Sequence, residues 1–172
     1  MTQLIGSAFG TEQERRAAWI VKQTVGSEMA EPVLALAADR TNDRVVRRYL
    51  IEGVSRALGG EPASWERVSA VTRRLIHDDD PLIREAGAQL IHDVQGSPDE
   101  RAGLLVGLLG DDDDDDAVVL TAAHALLALP SAPIPDQAIS ALAAHQHPEM
   151  RRLAGELVAR SASEGPSEGA GS

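Results

Sequence analysis

The chain has 172 residues, a formal net charge of −11 and no cysteine; this suits one domain with a sizeable core and excludes disulfides and thiolate metal sites. Phe, Tyr and Trp total only four residues, so the core is expected to be close Ala, Leu and Val contact rather than aromatic infill. Residues 1–60 carry 8 basic and 7 acidic side chains and residues 61–172 carry 8 and 20, so the acidic surface repels polyanions and only the N-terminal half offers a basic site.

The opening stretch, MTQLIGSAFGTEQERR, lacks a charged n-region and a long apolar run, which predicts no secretory signal. No apolar run reaches the roughly 18 residues of a membrane span. Together these lead to the expectation of a cytoplasmic protein with no membrane association. Residues 1–10 read as a lead-in, 11–161 as one helical domain, and 162–172 as a tail without apolar residues to bury, expected to be disordered.

Between those ends, apolar periodicity predicts helices at 11–25, 28–39, 44–58, 62–77, 81–95, 97–109, 117–129, 135–145 and 148–161. No segment alternates as a strand would. Pro32, Pro62, Pro81, Pro98, Pro135 and Pro148 stand just before apolar-periodic stretches, where a fixed φ suits the first helical turn. Thr11–Glu14 and Ser97–Glu100 read as capping boxes. Gly26, Gly59, Gly96 and Gly110 follow helical stretches and are expected to end them in the left-handed conformation. The core-facing stripes are Val33, Leu34 and Leu36; Val46, Leu50 and Val54; Trp65, Val68, Leu75 and Ile76; and Ile83, Ala86, Gly87, Leu90 and Val94. They continue with Leu104, Leu105, Leu108 and Leu109; Val119, Ala122, Ala123 and Leu126; Ile139 and Leu142; and Met150, Leu153, Ala154 and Leu157. Tyr49 is expected in the core as well.

One pattern recurs along the helices. It reads DRVVRRYLIEGV from Asp43, DPLIREAGAQLI from Asp80, DAVVLTAAHALL from Asp116 and HPEMRRLAGELV from His147, with a weaker copy, ERRAAWIV, from Glu14. Aligning Arg15, Arg47, Arg84, Leu120 and Arg151 gives a nearly constant step, and a period of this length means stacked helical units that bury apolar faces against their neighbours. The expected fold is all-α, a right-handed α-solenoid (α-α superhelix) of about four to five antiparallel helix pairs.

The pattern resembles HEAT repeats, including the HEAT-like subset of bilin-lyase-type proteins. Its cleanest copy is Asp80-Pro81-x-Ile83-Arg84-x-Ala86-Gly87-x-x-Leu90. The resemblance implies a ladder of ion pairs and caps between turn acids and the following arginines, with Asp43/Arg47 and Asp80/Arg84 matching and Leu120 interrupting it. In each doublet (Arg15/Arg16, Arg47/Arg48, Arg151/Arg152), one arginine is expected to face its own turn's acid and the other to point outward. With Arg44 and Arg56 the outward members would line a basic inner surface over the first repeats.

Other candidates point less to chemistry. Asp111–Asp116 reads as an extended turn whose last aspartate caps the helix at Ala117, since a plain run imposes no calcium geometry. His77, His92, His124, His145 and His147 read as solvated or capping groups, because zinc needs three or four converging ligands. G-x-S-x-G, GxGxxG, P-loop and HExxH patterns are absent. A base-processing pocket of the HEAT-like glycosylase kind would need a cationic channel and stacking aromatics, for which these four aromatics are poorly placed.

The functional expectation is a non-catalytic module, without cofactor or metal, that binds another protein on its concave second-helix face and acts as a monomer. The outward positions are Arg48, Glu52, Ser55, Glu85, Gln89, His92, Thr121 and Arg152, whose mixed signs suit a protein better than a phosphate backbone. The alternative is an accessory or maturation factor, or a lyase-type activity on a small molecule or modified protein. Nucleic-acid binding through residues 15–56 is a third reading.

Overall fold

A computed structural model describes residues 11–110, 115–129 and 134–163, and among them every regular element is helical. Two compact units divide after Ser97.

The first unit contains α1 (Glu12–Thr24), a 3₁₀ turn (Ser27–Met29), α2 (Ala30–Ala37), α3 (Arg44–Leu58), α4 (Ser64–Leu75) and α5 (Pro81–Asp93). Side-chain caps set several of its starts. The Thr11 hydroxyl accepts from the Glu14 amide while the Glu14 carboxylate accepts from Thr11 N, closing the expected capping box. Asp43 accepts from the Val45 and Val46 amides, and Asp80, followed by Pro81 at the first helical position, accepts from Leu82. Gly96 takes the left-handed conformation at φ 117°, whereas Gly26, at φ −91°, Gly59, at φ −56°, and Gly110 do not. After Gly59 the reversal passes instead to Gly60, at φ 83°.

Within this unit α2 packs on α3 and α4 on α5, while α1, α3 and α5 form one row and α2 and α4 another. The Trp65 amide donates to the Gln95 carbonyl at 2.9 Å, and Gly87 lies against Leu75 and Ile76. The start of α4 thus meets the end of α5, and that pair is antiparallel. In the other row Arg48 reaches Glu85 and Ser55 reaches Asp93, so α3 and α5 run parallel with equivalent positions side by side.

Leu34, Ile51, Val54, Leu58, Trp65, Val68, Leu75, Ile83, Leu90 and Ile91 are buried between the rows. Each such side chain contributes about 1.5–3 kcal/mol by leaving water. Three expectations fail at the edges of the stripes, Val46 being only half-buried near the start of α3. Leu36 is 55% exposed, because α2 is short and its next turn leaves the packed face. Tyr49 is only half-buried; its ring lies beneath the Lys22 ammonium, 5.4 Å from the centroid.

The second unit contains α6 (Pro98–Leu109), α7 (Asp116–Ala128), α8 (Asp136–Ala144) and α9 (Pro148–Ser163). Pairing repeats itself: α6 packs on α7 and α8 on α9, with α7 beside α9 and α6 beside α8. Leu105, Val118, Leu126, Leu142, Met150, Leu153 and Leu157 are buried there, whereas Leu104 and Ile139 are half-buried. Arg160 of α9 donates to the carbonyls of Leu126, Leu127 and Leu129, satisfying the end of α7.

Candidate functional site

The turn acids and second-row arginines do form a ladder in the first unit, but its register differs from the expected one. Arg15 pairs with Asp43, 28 residues on, at 3.3 Å. Arg47 grips both carboxylate oxygens of Asp78, 31 residues on, at 3.3 and 2.5 Å, and its Nε donates to the Ala37 carbonyl. Neither arginine pairs with the acid of its own turn. The Asp43 carboxylate is already turned onto the first amides of α3, and the parallel row brings the next turn within a guanidinium's reach. Arg84 donates to the Asp78 and Asp79 carbonyls, and Arg151 to those of His145 and Gln146. These two fasten their own turns through backbone oxygens.

The Arg47 side chain is 5% exposed and that of Asp78 6%. Burial alone would raise the Asp78 carboxyl, but hydrogen bonds from Arg47 and the Asp80 amide, with the Arg47 and Arg40 charges, hold it below the usual aspartate range. Asp43 is held low in the same way, burial being outweighed by Arg15 and the α3 amides.

Six of the expected outward residues come together on α3 and α5, but Ser55 is not outward: it is 4% exposed, because its hydroxyl is turned between the two helices onto Asp93. Arg48, Glu52 and Ser55 lie at i, i+4 and i+7 of one helix, and Glu85, Gln89 and His92 at the same intervals of the other. Arg48 donates to Glu52 at 2.7 Å and lies 3.9 Å from Glu85. Glu52 also takes the Lys22 ammonium from α1. Although burial works to raise it, Lys22 and Arg48 keep the Glu52 carboxyl below its ordinary value. At the other end Ser55 donates to Asp93, whose second oxygen meets Gln89 at 3.0 Å and His92 Nδ1 at 2.8 Å.

Lys22 and Asp93 therefore belong to the cluster without having been singled out. Asp93 stands four residues after Gln89, a spacing that puts both on one helix face. Lys22 required knowledge of which helix lies beside α3. Two cations and two carboxylates meet around Arg48, leaving that end of the ribbon electrically balanced. Arg56 does not extend a basic surface here; it donates to the Lys22 and Val25 carbonyls at the end of α1. Chemically, Ser55 faces the Asp93 carboxylate rather than the His92 imidazole.

Thr121 and Arg152 lie in the second unit. Thr121 is half-buried on α7, and Arg152 sits between Glu149 and Glu156 of its own helix. The Glu149 hydrogen bond, reinforced by both carboxylate charges, raises the Arg152 guanidinium above its ordinary value.

Histidines of this unit act on backbone: His145 Nδ1 accepts from the His147 amide, and His147 Nδ1 from Glu149. Asp115, rather than Asp116, caps α7 by accepting from Ala117, because the helix begins one residue earlier than expected. Asp111–Asp114 fall outside the described residues. So do the lead-in 1–10 and, from residue 164, most of the expected tail. No group of three or more His, Asp or Glu side chains poised for a metal occurs among the described residues. A recess of about 670 Å³ between α6 and α8 is bordered by Val106, Leu109, Pro135, Ala138 and Ala141, with Gln137 its one polar side chain among the lining residues.

No family model, curated protein or solved structure matches the chain. No described helix is long and apolar enough to cross a membrane.

Proposed function

We propose that this chain is a HEAT-like repeat module whose helix pairs build a right-handed α-solenoid of about four to five pairs, and that it binds a protein partner through its second-helix row. In the first unit that surface is the α3–α5 ribbon of Arg48, Glu52, Glu85, Gln89 and His92, with Ser55 buried beneath it; in the second unit the proposed positions are Thr121 and Arg152. The observation that carries this reading is the ribbon of mixed charge itself, with Arg48 held by Glu52 on its own helix and reaching Glu85 on the next. Alternating signs discriminate between protein surfaces and disfavour a uniformly anionic strand. The module works as a cytoplasmic monomer, with no chemistry of its own.

A photo-crosslinking amino acid at Gln89, compared with one at Glu31 on α2, tests this in cells that make the protein. Gln89 is expected to yield a discrete protein adduct that Glu31 does not, and Arg48→Glu with Arg152→Glu is expected to abolish it while the circular dichroism stays helical. Equal adducts from both positions, or none from Gln89, would remove the ribbon from consideration.

A further inference from the structure

Past the C-terminal ends of α2 and α4, on residues not shared with the α3–α5 ribbon, a groove of about 510 Å³ opens in the first unit. Arg40, Arg73, Arg74 and His77 line it, together with Asp78, Ala38 and Leu75. We propose that this groove is an anion site for a phosphate or a phosphomonoester, independent of the protein-binding reading.

Four cationic or protonatable side chains from two separate segments converge on one space. The one carboxylate among the lining residues, Asp78, is already neutralised from behind by buried Arg47. Asp79 stands on the rim, 85% exposed, and pairs with Arg40 at 2.6 Å. That outer pair is open to water and weak, while a second contact, 3.5 Å from Arg40 Nε to the buried Asp78 carboxylate, holds the guanidinium at the groove wall. Arg74 and His77 are exposed and engage no polar partner among the described residues.

A helix-end explanation covers part of this. Arg73 and Arg74 lie in the last turn of α4, where cations complement the negative end of the helix. It does not account for His77, beyond the helix, while Arg40, from the turn after α2, is brought to the same space by its pairs with Asp78 and Asp79. Planar guanidinium forks arriving from two segments suit a tetrahedral anion, which offers several oxygen edges. A carboxylate has only one edge for a bidentate fork.

The test uses the full chain, labelled with ¹⁵N, titrated at constant ionic strength with inorganic phosphate, with a short phosphoserine peptide, and with its unphosphorylated form. Saturable shifts at residues 73–78 and in the arginine Nε–H signals are expected for a phosphoryl-bearing probe. Arg74→Gln should weaken them about tenfold, the scale of one lost charge-assisted hydrogen bond. Arg16→Gln, an exposed arginine of α1 without a polar partner among the described residues, should leave them unchanged. Saturation by inorganic phosphate assigns a free or small phosphate ligand; saturation by the phosphopeptide alone assigns a phosphoryl group carried on a polypeptide. The proposal is overturned if shifts only track ionic strength, if the unphosphorylated peptide matches the phosphorylated one, or if Arg74→Gln binds as tightly as the parent.

Discussion

Arg47 and Asp78 hold opposite charges out of water, and each depends on the other to stay there. Replacing Asp78 by Asn keeps the shape and removes the charge, leaving a guanidinium 5% exposed with no counter-ion. Asp78→Asn is expected to cost about 3–5 kcal/mol in urea denaturation; a loss below about 1 kcal/mol would mean that water screens the pair. Acid dependence follows from the same carboxylates. Asp43, Glu52 and Asp78 have folded-state values below their unfolded ones. Their contribution is therefore complete above the unfolded values and lost as pH falls through the depressed ones. Stability should be level from these groups between about pH 7 and 5 and fall below about pH 4. A denaturation series across that range should show a shallower acid limb in Asp78→Asn than in the parent.

Between elements, small residues decide how closely helices approach, and two glycines separate packing from propensity. In α3 a Cβ on Gly53 would stand 2.8 Å from Lys22 Cα, a backbone atom of α1. In α9 a Cβ on Gly155 would meet nothing within 4 Å. Alanine at Gly155 should stabilise by about 0.5–1 kcal/mol through helix propensity. At Gly53 the same change must push α1 away from α3, and a loss of about 1–3 kcal/mol is expected. Thermal melts of both variants check the opposite signs; a gain at Gly53 would mean that the two helices part freely. Each α-helix among the described residues begins and ends within two residues of its expected limits. The reason is local: proline at first turns, aspartate and threonine caps, and apolar spacing all act within one helix.

Over the whole molecule, contacts run mostly between neighbouring elements, and the described residues group into two units with their own buried residues. Residues 1–97 alone are expected to be helical by circular dichroism and to melt in one cooperative step, since repeat stability comes from nearest neighbours. A broad, non-cooperative loss of signal would show that this core needs helices beyond Ser97. The 37-residue step from Arg48 to Glu85 could be read from the chain, and with it the six residues of the α3–α5 ribbon. Helix type, helix limits and each helix's apolar face were likewise legible, because they depend on residues three or four apart. Tertiary structure decided that Arg47 pairs with Asp78 rather than Asp43, that Lys22 joins Glu52, and that Arg40 shares a groove with Arg74. Those choices depend on which turns lie within a side chain's length of each other, and that distance exists only after the rows have packed.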